Sequence, residues 1–183
     1  MDVANDEWLK LRDPEISRAS FGLYRLVPTS SWTVAEFVFE DEQSNRLGSY
    51  VSRTRVRADV ELHGRRYEMY IQRSGAFASK WGGKVGASSE SAIVIRTREA
   101  IVSELFPVRK FPSWSYSFTS EGKRYEVSGG GWLPTKPHRV SRGTELVGIY
   151  QRESLGSQKV LLALRRDLPD TALLPIVVAA LVQ

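Results

Sequence analysis

Arginines at positions 53, 55 and 57 alternate with Thr54, Val56 and Ala58. In an extended chain that spacing sends Arg53, Arg55 and Arg57 to one side, about 7 Å apart. Three guanidinium groups so placed repel one another unless they meet carboxylates across a sheet or an external anion. Arg65, Arg66 and Arg73 follow, then Lys80 and Lys84, so residues 51–84 hold eight cations against Asp59, Glu61 and Glu68. That surplus equals the formal charge of the whole chain, +5. Arginine grips phosphate and carboxylate with a planar fork. The candidate site is an anion-binding face made by Arg53, Arg55, Arg57, Arg65, Arg66 and Arg73. The competing arrangement pairs these arginines with acids on neighbouring strands, as exposed ion pairs worth under about 1 kcal/mol each.

Other chemistries find little footing. The chain has no cysteine, which excludes disulfides, zinc–thiolate sites and cysteine nucleophiles. His63 stands beside Gly64, and His138 lies between Pro137 and Arg139. Neither has the spacing of a metal-binding pair, and both are expected as exposed turn residues. Gly82-Gly83-Lys84 is followed by Val85, where a phosphate loop needs Ser or Thr for magnesium. Gly129-Gly130-Gly131 runs into Trp132-Leu133-Pro134, with no helix to carry a dinucleotide. Glu36, Glu40, Glu61, Glu68 and Glu126 could serve as an acid–base pair if two of them met in one cleft. On alternating strands they are expected to be solvated. No catalytic residue, metal or cofactor is assigned.

These side chains must be positioned by strands. Residues 1–20 read as an appendage, because Asp13-Pro14 ends any helix begun at Asn5 or Asp6. From residue 21 the rhythm is short apolar-alternating segments cut by turn residues: 21–27, 32–40, 47–52, 67–72, 92–99, 114–119, 124–127, 145–152 and 159–165. The cleanest alternation, residues 53–62, predicts one strand with a wet face and a dry face. Phe106-Pro107 and Phe111-Pro112 predict a connection, and 134–137 a long turn. The sequence also repeats itself. His63-Gly64-Arg65-Arg66-Tyr67-Glu68-Met69 parallels Glu121-Gly122-Lys123-Arg124-Tyr125-Glu126-Val127, and a glycine-rich loop with Trp81 or Trp132 follows each copy. Two copies somewhat over 50 residues apart suit a barrel built from duplicated meanders.

The chain closes on residues 172–182, which carry no charged or hydrogen-bonding side chain. The length of the run and its Ala179-Ala180-Leu181 ending favour a helix over a central β-strand, the competing reading that β-branched Ile176-Val177-Val178 offers. A helix apolar on every side must be surrounded. Eleven residues fall well short of the roughly 20 that span a bilayer, so protein surrounds it. Asp170 or Thr171 is the expected N-cap.

About ten to twelve antiparallel strands, the duplication and the apolar C-terminal helix together resemble the tubby-like superfamily. Its members include tubby C-terminal domains, LURP-one-related proteins and phospholipid scramblases. Trp32-Thr33-Val34-Ala35-Glu36-Phe37-Val38-Phe39-Glu40-Asp41 looks like that family's opening strand and acidic turn. Residues 168–182 look like its closing helix. The cysteine-rich and calcium-binding segments of scramblases have no counterpart here. The resemblance implies a closed antiparallel barrel over residues 21–183, wrapped around a central helix. It also implies anionic lipid headgroups, phosphoinositides among them, as ligands.

The expectation is a non-catalytic binding module with a basic face for an anionic membrane surface. A protein-interaction scaffold using the loops around Trp81, Trp114 and Trp132 is the alternative. Nucleic acid is the less favoured anion, because the aromatics fall at alternating strand positions and read as core. The acidic N-terminus lacks a signal-peptide pattern, so a cytoplasmic protein, peripheral at a membrane, is expected.

Overall fold

A computed structural model describes residues 3–11, 13–29, 35–54, 56–73, 91–110, 113–129 and 136–182. A short helix α1 (Val3–Lys10) precedes twelve strands. They are β1 (Phe21–Pro28), β2 (Glu36–Glu40), β3 (Arg46–Thr54), β4 (Arg57–Leu62), β5 (Arg65–Arg73) and β6 (Ser91–Arg96). Then come β7 (Ile101–Lys110), β8 (Ser113–Ser120), β9 (Lys123–Gly129), β10 (His138–Arg142), β11 (Glu145–Arg152) and β12 (Val160–Arg165). Each pairs antiparallel with its neighbours in sequence, and β1 also pairs with β12. The sheet is thus a closed barrel with no free edge. Helix α2 (Asp170–Leu181) follows β12.

The up-and-down order gives the barrel two unlike ends. At the hairpin end the strands turn through residues 41–45, 63–64, 97–100, 121–122 and 143–144. At the opposite, loop end, β1, β3, β5, β7, β9 and β11 finish and β2, β4, β6, β8, β10 and β12 begin. Helix α2 begins at the hairpin end. Its residues 172–180 are all buried, and they share one apolar core with inward side chains such as Leu26, Phe39, Val60, Phe118 and Leu162. Burying that many apolar side chains contributes on the order of 10–15 kcal/mol gross. Pro175 lies inside the helix, costing the bond its amide would have made to the Thr171 carbonyl.

The N-terminal segment is an integral part of the wall. Trp8 and Leu11 pack on Phe21, Leu23, Leu146, Ile149, Leu161 and Ala163, a second apolar cluster on the outer face of β1, β11 and β12. Those strands are covered on both faces, which is why Val160-Leu161-Leu162-Ala163-Leu164 shows no alternation. Glu7, only 2% exposed, receives Arg25 Nε at 2.7 Å and Lys159 Nζ at 2.6 Å. Trp8 Nε1 donates to Glu42 Oε1 at 3.0 Å.

Several expectations are corrected. Residues 53–62 are not one strand: β3 ends at Thr54, β4 starts at Arg57, and Thr54 lies opposite Arg57. Phe111 and Pro112 lie outside the described residues, but residues 106–110 are not a connection, because β7 runs through Pro107 to Lys110. Its pairing with β6 stops at Leu105, so on that side the strand needs no amide donor from a proline. His138 is not in a loop but opens β10, opposite Tyr150. Neither Asp170 nor Thr171 is the N-cap of α2. Pro169 is, without a side-chain cap bond.

Candidate functional site

The two repeat copies are two equivalent hairpins at the hairpin end. His63-Gly64 joins β4 to β5 with φ of 47° and 75°, and Glu121-Gly122 joins β8 to β9 with 50° and 72°. Positive φ at both central residues is the type I′ turn that matches strand twist. In each copy the residue two before Gly closes the outgoing strand, and a basic pair opens the returning one. Leu62 faces Arg65 and Glu61 faces Arg66, just as Ser120 faces Lys123 and Thr119 faces Arg124.

The turn tips also grip the start of α2. His63 Nδ1 shares a hydrogen bond with Asp170 Oδ1 at 2.8 Å. On the other copy, Thr171 Oγ1 donates to Glu121 Oε1 at 3.3 Å and accepts from Ser120 Oγ at 2.8 Å. With the tips leaning inward, Arg65, Arg66, Lys123 and Arg124 stand exposed on the rim. Arg98, on the β6–β7 turn between them, is exposed as well. Among the described residues, Arg65, Arg66, Arg98 and Lys123 make no ion pair, and Arg124 has only Glu126 at 4.0 Å.

The predicted site residues are thereby divided between the two ends. Arg65 and Arg66 lie at the hairpin end. Arg53 and Arg57 lie near the loop end, on adjacent antiparallel strands instead of one comb. Arg53 is spent on Asp59, 2.7 Å away, as the cross-strand alternative anticipated. Arg57 is exposed. Arg73 closes β5 opposite Ser91, its side chain outside the described part. Arg55, Lys80, Trp81, Lys84, Trp32 and Trp132 lie outside the described residues, as does the side chain of Trp114.

Behind each hairpin the outer wall is hollowed. A cavity of about 650 Å³ is lined by Arg66, Tyr67 and Glu68 of the first copy, with Arg96, Arg98 and the Arg53–Asp59 pair beside them, so of the predicted residues Arg53 and Arg66 meet on one outer hollow. Arg96 binds Glu68 Oε2 through Nε at 2.9 Å and Nη2 at 2.6 Å, and that hydrogen bond raises the guanidinium's pKa. A second cavity of about 470 Å³ is lined by the equivalent Arg124, Tyr125 and Glu126, with Lys123 and Arg142. Further round the rim, the cations are consumed locally. Arg142 bonds Glu145 at 2.7 Å, and Arg165 reaches both Glu145 and Asp167. The Arg142 and Arg165 hydrogen bonds hold the Glu145 and Asp167 carboxyls below the usual range.

Sequence reasoning missed Arg98, Lys123 and Arg124. The repeat itself was the signal that could have found the last two, since they occupy the places of Arg65 and Arg66. The histidines differ from each other. His63 is an exposed turn residue, as expected, but His138 is stacked on Tyr150 with ring centroids 4.8 Å apart. Its buried Nδ1 has no hydrogen-bond partner among the described residues, and burial pushes its pKa down to about 4. Among the described residues, no group of three or more His, Asp or Glu side chains could hold a metal ion. No described helix is long and apolar enough to cross a membrane.

Fold and rim define a class: a closed twelve-stranded antiparallel barrel around a C-terminal helix, with basic hairpins at one end. No family model, no curated protein and no solved structure matches the chain.

Proposed function

We propose that the chain is a tubby-like barrel acting as a non-catalytic binding module, docking on anionic lipid headgroups through the hairpin end. The observation that carries this is the run of exposed, unpaired Arg65, Arg66 and Arg98 on successive hairpins. Exposed cations without acid partners lower the stability of the barrel slightly by mutual repulsion, and an anionic surface relieves that repulsion. The fold supports the family reading, since a helix about 10–12 Å wide needs a barrel larger than eight strands. Ile101, 56% exposed beside the Arg98 turn, adds an apolar contact suited to the interfacial region of a bilayer.

Basic residues near an anionic bilayer contribute about 1 kcal/mol each. The variant R65Q/R66Q/R98Q is therefore expected to bind acidic vesicles about 100-fold more weakly than wild type. Its stability should barely change, because exposed charges contribute under about 1 kcal/mol each. Wild-type binding should fall as salt rises past about 0.15 M, where the screening length is near 8 Å. The control, R57Q, removes an exposed arginine near the loop end and should bind nearly as wild type. Co-sedimentation with phosphatidylcholine vesicles containing phosphatidylserine or phosphoinositide measures each. A folded triple variant that binds as well as wild type would overturn the proposal, as would a wild-type protein indifferent to acidic lipid.

A further inference from the structure

We infer that the duplication builds two anion subsites, so that the barrel engages an anionic surface bivalently; this rests on the lipid-docking reading above. The second subsite, Lys123 and Arg124 on the β8–β9 hairpin, corresponds residue for residue to Arg65 and Arg66 on β4–β5. Arg66 lines an outer hollow of about 650 Å³, and Lys123 and Arg124 line another of about 470 Å³.

The two subsites are closely matched in charge. The first hollow is lined by four arginines, Arg53, Arg66, Arg96 and Arg98, against three carboxylates, Asp59, Glu61 and Glu68. In the second, the positions matching Asp59 and Glu61 are Ser117 and Thr119, and its lining has Lys123 and Arg124 against Glu126, with Arg142 bound to Glu145. Each lining thus keeps one cation more than it has acids to pair with.

Their spacing suits simultaneous use. Strands β5 and β9 are four steps apart around the barrel, which at about 4.8 Å per strand is roughly 19 Å along the wall. Both basic pairs open at the hairpin end, so a bilayer meeting that end touches both, with Arg98 between them. The β2–β3 turn across the barrel carries Asp41 and Glu42, which tilts the contact toward the β5–β9 arc. Two weak contacts on one rigid body bind a surface far more tightly than either alone, because the second contact is intramolecular.

The test uses R65Q/R66Q, K123Q/R124Q and the quadruple variant in the full chain, each checked for an unchanged melting transition. Vesicles of phosphatidylcholine with graded phosphatidylserine serve as the surface, and inositol hexakisphosphate as a soluble polyphosphate. Loss of either pair should weaken vesicle binding by about 30-fold, the factor for two basic contacts of about 1 kcal/mol each. The quadruple variant should not bind. Wild type should take up two molecules of inositol hexakisphosphate and each double variant one. If K123Q/R124Q binds vesicles like wild type while R65Q/R66Q loses binding, the second subsite does not exist and the docking reading survives. If K123Q/R124Q alone abolishes binding, bivalency fails in the same way. If wild type binds no acidic vesicle, both inferences fall. Binding to inositol hexakisphosphate without binding to vesicles would overturn the lipid surface as the ligand.

Discussion

His138 should make the barrel lose stability in mildly acidic solution. Its ring lies flat against Tyr150, with an interplanar angle of 6°, and its Nδ1 is buried without a partner among the described residues. Burial lowers its pKa from 6.5 to about 4, so the folded protein holds the ring neutral. The unfolded chain takes up a proton near pH 6.5 and therefore binds more protons below that value. Stability from this group is complete above pH 6.5 and drains away as the pH falls toward 4. A full shift of that size corresponds to a loss of about 2 kcal/mol between pH 7 and pH 5, and partial solvent access reduces it to about 1–2 kcal/mol. The perturbation is His138→Phe, which keeps an aromatic ring on Tyr150 and removes the unpartnered nitrogen. Urea unfolding at pH 7 and pH 5 is compared in a His63→Gln background, where His138 is the chain's remaining histidine. The Phe variant should be at least as stable at pH 7 and should flatten the loss between the two conditions. An equal loss with and without His138, or an NMR titration of its ring near 6.5, would refute the reasoning.

Two further outcomes test the architecture. Val178→Asp places a carboxylate in a helix position with no exposure and no cation among the neighbouring core residues. The cost of several kcal/mol approaches the net stability of a domain, so soluble expression should be lost; native-like melting would contradict the central helix. Glu7→Gln leaves Arg25, 8% exposed at its side chain, without its carboxylate. The loss should be about 3 kcal/mol, at the lower end for a broken buried pair because Arg25 still donates to the Asp41 carbonyl. Chemical denaturation reads it, and a change under about 1 kcal/mol would show that α1 is not anchored through Arg25.

What could be read in the chain depended on whether local pattern and tertiary environment agreed. Helix α2 was legible from the length of the apolar run after Thr171 and its Ala179-Ala180-Leu181 ending, which outweigh the β-branched Ile176-Val177-Val178 that a buried strand would also suit. Strand β11 matched the predicted residues 145–152, an apolar run closed by polar Glu145 at one end and Gln151-Arg152 at the other. The break between β3 and β4 was hidden because the arginine–apolar alternation continues through residues 53–58 with no Gly or Pro to mark a reversal. Pro107 disguised β7, and Pro137 disguised the start of β10. Both signals are sound locally. They fail where a strand outruns its neighbour, as β7 does beyond Leu105. Trp8 and Leu11 read as part of an appendage packed on the surface, and the doubly covered strands β1, β11 and β12 show where they pack.

The split of the predicted arginines follows from the same missed turn, and it changes what charge counting can mean. Along the sequence, residues 51–84 hold the whole surplus of positive charge. In space, every hairpin reverses the chain, so residues eight apart such as Arg57 and Arg65 stand at opposite ends of one strand pair. A linear cluster on an up-and-down barrel is thus sorted by parity of the turn, not by proximity in sequence. Repeat position survives that sorting, because two copies offset by an even number of strands return to the same end. β5 and β9 are so related. The matched Gly-basic-basic signatures at 64–66 and 122–124 therefore carry more information about a shared surface than the denser arginine run at 53–57. In each copy the turn tip reaches α2 while the two basic residues after the glycine stand exposed. Holding the helix and presenting the cations are consequences of one local geometry, so a substitution that reshapes the turn at Gly64 or Gly122 should disturb both together.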